Sequence, residues 1–483
     1  MYPGGKELRH YVKTASNPTL VEFMENHSNL VDSEELTLLQ LMQVWRDRFI
    51  AMLKKYHPNL RSEGRVTCDI NVWKKLKVCV SNDIRSILFQ WLYILEEKKS
   101  EDLPAFLGEK QEQIDALKSS DSDDVCAALD KLSINLLEGY TDLTCLEKEV
   151  LKLSLSRIVD LVDADFESYF RQHIPARHFD SWSNLSTASQ LGEQEEAKLR
   201  ELCQDFAQRV QTSFRAARKH VLLKRAEFEE EGDENSLEAK AYELIDAVTT
   251  IAKQKNEDNL QEADYVAWVK RLVQVVFRRS PLKIAIGETA AAATKPIAEY
   301  NQSNYSGSTS SVFASSSSSF PLPSSSTRKT NYNGRKIDLK VTGDNDQELS
   351  FWEFKTNDAS QATLQKQESK TLRLAQCLQK TLKSSFSVEN DTLCVTWAGW
   401  SGTVCRLYQQ DGYCVAKREL DISIPNDERL IGVHLENAIL ALFELKEWLL
   451  SLNDEVFVQS SIRQRKRKSY EGMPHTLLSP KHV

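Results

Sequence analysis

The run from residue 335 to 355, RKIDLKVTGDNDQELSFWEFK, constrains the fold more tightly than any other part of the chain. Its centre, Gly343-Asp344-Asn345-Asp346, has the turn chemistry that joins two paired strands, so a β-hairpin is expected. Side chains alternate between the faces of a strand, which puts Leu349, Phe351, Glu353 and Lys355 on one face and Trp352 and Phe354 on the other. A strand that is apolar on both faces belongs inside a sheet. A carboxylate and an ammonium buried there are costly unless paired or bound. Asp338, on the first strand, supplies a second carboxylate. Two outcomes satisfy these charges. Asp338, Glu353 and Lys355 can form a charge cluster that compensates itself. Alternatively, Asp338 and Glu353 hold a hard cation, Mg²⁺ or Mn²⁺, while Lys355 orients an attacking water and stabilises charge in a transition state. Spacing alone does not choose between them.

The flanks add candidates. Residues 260–277, which include QEADYVAWVKRLVQVVF, read as a helix that packs Tyr265, Trp268, Leu272 and Val276 on the sheet. Glu262 at its start either reaches the metal edge or complements the helix N-terminus. A short strand at 282–286 ends at Gly287, with Glu288 as a further acidic neighbour. Downstream, a helix over 361–384 places Gln367 and Lys370 on one face. Together with Arg373 they are candidates to meet a phosphate backbone, with solvated helix surface as the plain alternative. Strands are expected over 392–397, 403–409 and 413–420, around turns at Gly402 and Asp411-Gly412. A closing helix over 435–452 follows, with Ile439, Leu442, Leu445 and Leu449 on one stripe. Trp397 and Trp400 are expected in the core or hairpin rather than as stacking platforms for bases.

Taken in order, these are a helix with an acidic start, a strand, a strand with Asp338, a strand with E-x-K at Glu353 and Lys355, and a helix with Q-x-x-K at Gln367 and Lys370. The arrangement resembles the PD-(D/E)XK nuclease superfamily over roughly two fifths of the chain. Within that superfamily it resembles a group of uncharacterised fungal proteins. They share E-A-D-Y at 262–265, G-E-T at 287–289, R-K-I-D at 335–338, and W-x-G at 397–399 before a hairpin. The resemblance implies an αβ sandwich core, a divalent metal and phosphodiester cleavage. It carries the metal and catalytic positions to Asp338, Glu353 and Lys355, with Glu262 as accessory acid. Asp338 follows Ile337 rather than proline, a departure that the superfamily tolerates. Many members have lost activity or serve as binding modules, so a non-catalytic scaffold binding protein or nucleic acid stands as the alternative, and an α/β interaction protein as a third.

Upstream the chain reads as helical. A D-x-x-E box at Asp32 and Glu35 precedes a striped helix ending at His57-Pro58, a second stripe runs from 72 to 97, and a T-x-x-E box at Thr144 and Glu147 starts a helix running past Ile158. A fourth helix is expected from 194 to 230, and 118–124 reads as a loop. The expected fold class is therefore α+β. A helical region over 1–235 serves partner binding or regulation, and a nuclease-like domain over 236–456 carries a Ser-rich insertion at about 297–330 that is expected to be disordered. A basic tail, 457–483, is likewise expected to be disordered. Its block Arg463, Arg465, Lys466, Arg467 and Lys468 has the composition of a nuclear import signal or a nucleic-acid patch. Ser479-Pro480-Lys481 is a slight phosphorylation signal.

Bulk properties set limits. The 483 residues exceed one ordinary domain, and a net charge of −8 leaves any contact with DNA or RNA to a local basic patch. No apolar run is long enough to span a membrane, and the first residues lack a signal-peptide pattern, so an intracellular placement is expected, and the basic block adds the expectation of a nuclear one. The nine cysteines, Cys79, Cys394 and Cys405 among them, are scattered without a C-x-x-C pair and read as reduced core thiols. His173 and His178 lack companion ligands and read as surface or core-edge residues.

Overall fold

The computed structural model describes residues 5–26, 38–60, 84–96, 103–119, 123–185, 188–253, 260–298, 335–386, 388, 391–462 and 476–478. From the N-terminus come helices α1 (Gly5–Thr14), α2 (Leu20–Asn26), α3 (Leu38–Tyr56), α4 (Ile84–Glu96), α5 (Leu103–Ser119), α6 (Val125–Glu138) and α7 (Cys145–Leu155). Strand β1 (Ile158–Asp160) precedes helices α8 (Ala164–Arg171), α9 (Ala176–Ser183), α10 (Glu193–Thr212), α11 (Phe214–Glu231), α12 (Leu237–Lys253) and α13 (Glu262–Phe277). Then come strands β2 (Lys283–Ala290), β3 (Lys336–Thr342) and β4 (Glu348–Lys355), helix α14 (Gln361–Phe386), strands β5 (Thr392–Ala398), β6 (Ser401–Gln409) and β7 (Cys414–Ser423), and helix α15 (Ile431–Ile462).

The strands form one mixed sheet in the order β1-β7-β6-β5-β4-β3-β2. β4 lies inside it, antiparallel to β3 and parallel to β5, as its two apolar faces require. Trp352, Phe354, Val395 and Trp397 belong to the core shared with α12, α13 and α15. Cys394, Cys405, Leu407 and Ala416 belong to a core shared with α4, α6, α7 and α8, to which α14 contributes Leu372 and Ala375. Helices α1 to α3 enclose a small separate core of Leu8, Val12, Leu20, Phe23, Trp45, Phe49 and Leu53.

Several expectations change. The helix read as passing Ile158 stops at Leu155. Arg157 turns to a φ of 52° and its carbonyl accepts from Cys414 N–H at 2.8 Å, which starts β1 alongside β7. The sheet and its second core thus draw on residues before 235, so the division there is not a break in packing. The single helix expected over 194–230 is two, because Ser213 is extended (φ −164°, ψ 113°) and caps α11 through its side chain. The closing helix continues to Ile462, and Thr476 to Leu478 dock back onto the body, so 457–483 is not a free tail throughout. Leu477 N–H donates to Ser156 Oγ at 3.0 Å, and Tyr93 Oη donates to the Leu478 carbonyl at 2.6 Å. The D-x-x-E box, residues 72–83 of the second stripe, Cys79, nearly all of the Ser-rich insertion, the basic block at 463–468 and Ser479 to Lys481 lie outside the described residues. Residues 120–122 of the loop expected at 118–124 also lie outside them, while Lys118 and Ser119 close α5. Among the described residues no helix is long and apolar enough to cross a membrane.

Trp397 is fully buried, stacked on Trp352 at 6.5 Å and Phe354 at 5.8 Å, with its Nε1 donating to the Gly399 carbonyl at 2.7 Å. Its six-membered ring lies over Gly402, where an added Cβ would stand 2.2 Å from Trp397 Cε3. Gly402→Ala should therefore destabilise the protein by about 3 kcal/mol. Gly432→Ala, in α15 with nothing within 4 Å, should stabilise it by roughly 0.5–1 kcal/mol through helix propensity. Urea unfolding of both variants checks the opposite signs.

Candidate active site

The register of β3 against β4 pairs Leu339 with Trp352, and its next step sets Asp338 opposite Glu353. Asp338 Oδ2 accepts the Phe354 backbone N–H at 2.8 Å, which fixes the carboxylate against the neighbouring strand. Glu353 is 2% exposed. Helix α14 crosses above it and delivers two side chains one turn apart. Lys370 Nζ donates to Glu353 Oε2 at 2.6 Å. Gln367 Nε2 donates to the Glu353 carbonyl at 2.6 Å and the Trp397 carbonyl at 3.2 Å, tying β4, β5 and α14 together.

Lys355, at the end of β4, is held by the start of α13. Its Nζ donates to Glu262 Oε2 at 2.6 Å and to the Phe354 carbonyl at 2.5 Å. The capping of α13 falls instead to Gln261 and Asp264, whose Oδ2 accepts the Gln261 N–H at 2.8 Å. Glu262 stands in the first turn of α13, where its charge complements the helix N-terminus, and it also faces the lysine. Asp338, Glu353, Lys355 and Glu262 lie in one cluster, and Lys370, read from the sequence as a phosphate-contact candidate, joins it through Glu353.

Burial raises the proton affinity of Glu353, moving its pKa from 4.5 to about 7; Lys370 opposes the shift and Asp338 adds to it. Asp338 is likewise raised, first by burial and then by the charge of Glu262, with the Phe354 N–H, Lys355 and Lys370 acting in the other direction. Glu353 Oε1 is buried and has no hydrogen-bond partner. Among the described residues no group of three or more His, Cys, Asp or Glu side chains could hold a metal ion. A hard cation that keeps most of its waters needs only one or two carboxylates, a donor set that Asp338 and Glu353 together match.

Two candidates for phosphate contact are committed elsewhere. Arg373 is buried: its Nε donates to the Ser369 carbonyl and its Nη1 to the Leu477 carbonyl, both at 3.1 Å, with Glu149 Oε2 3.8 Å away. Gln367 is also buried, and its amide supports the site rather than facing outward. The helical wheel could not show either, because α14 is covered on most of its circumference. Trp397 is core, and Trp400 stands edge-on to Tyr265 at 5.1 Å. Glu288 lies where β2 departs from regular pairing, and its side chain is outside the described residues. His173 is exposed and His178 half-buried, and they bond to the backbone carbonyls of Tyr169 and Asp123 respectively.

One acidic pair had no signal in the sequence. Asp160, wholly buried at the end of β1, accepts the Val162 N–H at 2.8 Å and faces Glu368 of α14. Burial raises the proton affinity of both acids, and the charge of Asp160 adds to the shift of Glu368. The residues are 208 positions apart in the chain, so only the pairing of β1 with β7 brings them together.

Comparison with models of protein families, with curated proteins and with solved structures finds no match.

The raised pKa of Glu353 has a definite sign. The folded state binds this proton more tightly than the unfolded chain, so its contribution is fully present below about 4.5 and is lost as pH rises through about 7. Without added metal, Glu353→Gln should gain stability relative to the parent between those limits, reaching on the order of 3 kcal/mol above pH 7. Denaturation midpoints from pH 4 to 8 check this; parallel profiles would contradict it.

Proposed function

We propose that this chain is a metal-dependent nuclease-fold protein of the PD-(D/E)XK type that hydrolyses phosphodiester bonds in DNA or RNA. The observation that carries the reading is the convergence of Asp338 and Glu353 beside an anchored lysine, with one buried carboxylate oxygen left bare. Support also comes from the element order: a helix starting at Glu262, three strands carrying Asp338 and Glu353-Phe354-Lys355, helix α14 with Gln367 and Lys370, and then β5 beside β4.

Asp338 and Glu353 are the residues that would hold Mg²⁺ or Mn²⁺. When bound, such an ion polarises a phosphate oxygen and lowers the pKa of a bound water. Lys355 contributes position. Glu262 and the Phe354 carbonyl fix its ammonium at the end of β4, where it orients the attacking water and balances charge on the phosphate. Gln367 keeps the Glu353 backbone in place. Lys370, on the rim, is the candidate for a phosphate contact. The basic block at 463–468 stands as a proposed nuclear import signal.

A second reading has its own observation. The pairs Lys370–Glu353 and Lys355–Glu262 already neutralise much of the cluster, which suits a scaffold of this fold that binds protein or nucleic acid without cutting it.

Labelled DNA and RNA, single- and double-stranded, incubated with Mg²⁺ or Mn²⁺ separate the readings. Cleavage by the parent is expected, with losses of about 100-fold or more in Glu353→Ala and Lys355→Ala. Equal cleavage by parent and variants would assign the activity to a contaminant, and binding without cleavage supports the scaffold.

A further inference from the structure

Lys370 and Lys355 differ in a way that the proposed chemistry does not require. Lys355 is pinned by two acceptors at the end of its own strand. Lys370 reaches in from the rim of the site. Its side chain is 42% exposed, while the Glu353 carboxylate that it meets is 3% exposed. The backbone beneath Lys370 cannot shift easily, because Gln367 is bonded to two strand carbonyls and Arg373, one turn on, is buried and bonded. The movable part is the four-carbon stem and its ammonium. That ammonium sits on Glu353 Oε2, while Oε1 of the same carboxylate is buried without a partner.

We infer that Lys370 is a built-in counter-cation that competes with the divalent metal for Glu353, so that metal binding and the turning of Lys370 toward the substrate backbone are one coupled event. The inference rests on the metal-dependent reading above. A dication and an ammonium on one carboxylate repel each other, and the exposed stem gives the ammonium a route outward. A polyanionic backbone at the rim supplies its alternative partner. Nucleic acid then raises metal affinity by removing the competitor, and metal raises nucleic-acid affinity by the same factor. Lys370 acts here as a positioning residue, and without substrate the site stays charge-balanced with little metal bound.

The test is calorimetric titration of Mn²⁺ alone into the full chain, the Lys370→Met, Lys370→Arg and Glu353→Gln variants, with thermal melts to establish folding. Lys370→Met should bind Mn²⁺ about tenfold more tightly than the parent, while Lys370→Arg stays within a fewfold of it. Glu353→Gln should lose the binding. A short phosphorothioate oligonucleotide, which resists cleavage, should tighten Mn²⁺ binding severalfold in the parent and leave Lys370→Met unchanged. Equal Mn²⁺ affinity in the parent and Lys370→Met overturns the competition while leaving the metal reading standing. Absence of binding in every protein, or binding that survives Glu353→Gln, overturns the metal reading and the inference together. Should Lys370→Met melt early, Lys370→Gln, which keeps the side chain polar, carries the same expectations.

Discussion

A carboxylate in the middle of a hydrophobic sheet has to be compensated, and much of this fold is arranged around that need. Glu353 sits on a strand whose neighbours Leu349, Phe351, Trp352 and Phe354 are fully buried. Leaving its charge uncompensated there would cost several kcal/mol. Compensation of the charge comes from Lys370 on the helix above; burial and Asp338 favour the protonated form instead, and Gln367 holds the strand's own carbonyl. Each contact fixes an element. Helix α14 is seated by Gln367 and Lys370, β3 is locked by the Phe354 N–H to Asp338, and α13 is held at its start by Lys355.

The surrounding packing keeps those elements rigid. Trp397 fills the space between β4 and β5 by stacking on Trp352 and Phe354, and only a glycine at 402 leaves room for its ring. On the other face the helical half supplies α6, α7 and α8 and a strand of its own, so the first and second halves of the chain share one sheet. The docked segment Thr476 to Leu478 completes that face by giving Arg373 an acceptor deep under α14. The charged cluster therefore rests on a scaffold whose parts come from the whole chain, which suits a site that must hold two carboxylates side by side.

Local chemistry was legible where it was short-range. The hairpin at 343–346, the interior position of β4 and the common face of Glu353 and Lys355 follow from turn residues and a period of two, and the helix beginning near Glu262 follows from its apolar stripe. Arg373 was misplaced because helical period alone treats a helix as having one buried side, while α14 is enclosed on most sides. Ile158 was misplaced because a three-residue strand has no period to detect, and its existence depends on β7, more than 250 residues later.

The sequence by itself determined which residues alternate, which turns close, and that a carboxylate and an ammonium would share one face of an interior strand. Those are consequences of covalent neighbours and side-chain period. Only the tertiary structure decided which cation answers which acid: Lys370 takes Glu353, Lys355 takes Glu262, and Asp160 meets Glu368. These partners are between 17 and 208 positions apart, and pairing across such separations is set by sheet register and helix placement. The physical reason is that compensation of a buried charge is a property of a location in space, and a location is defined only once the chain has folded.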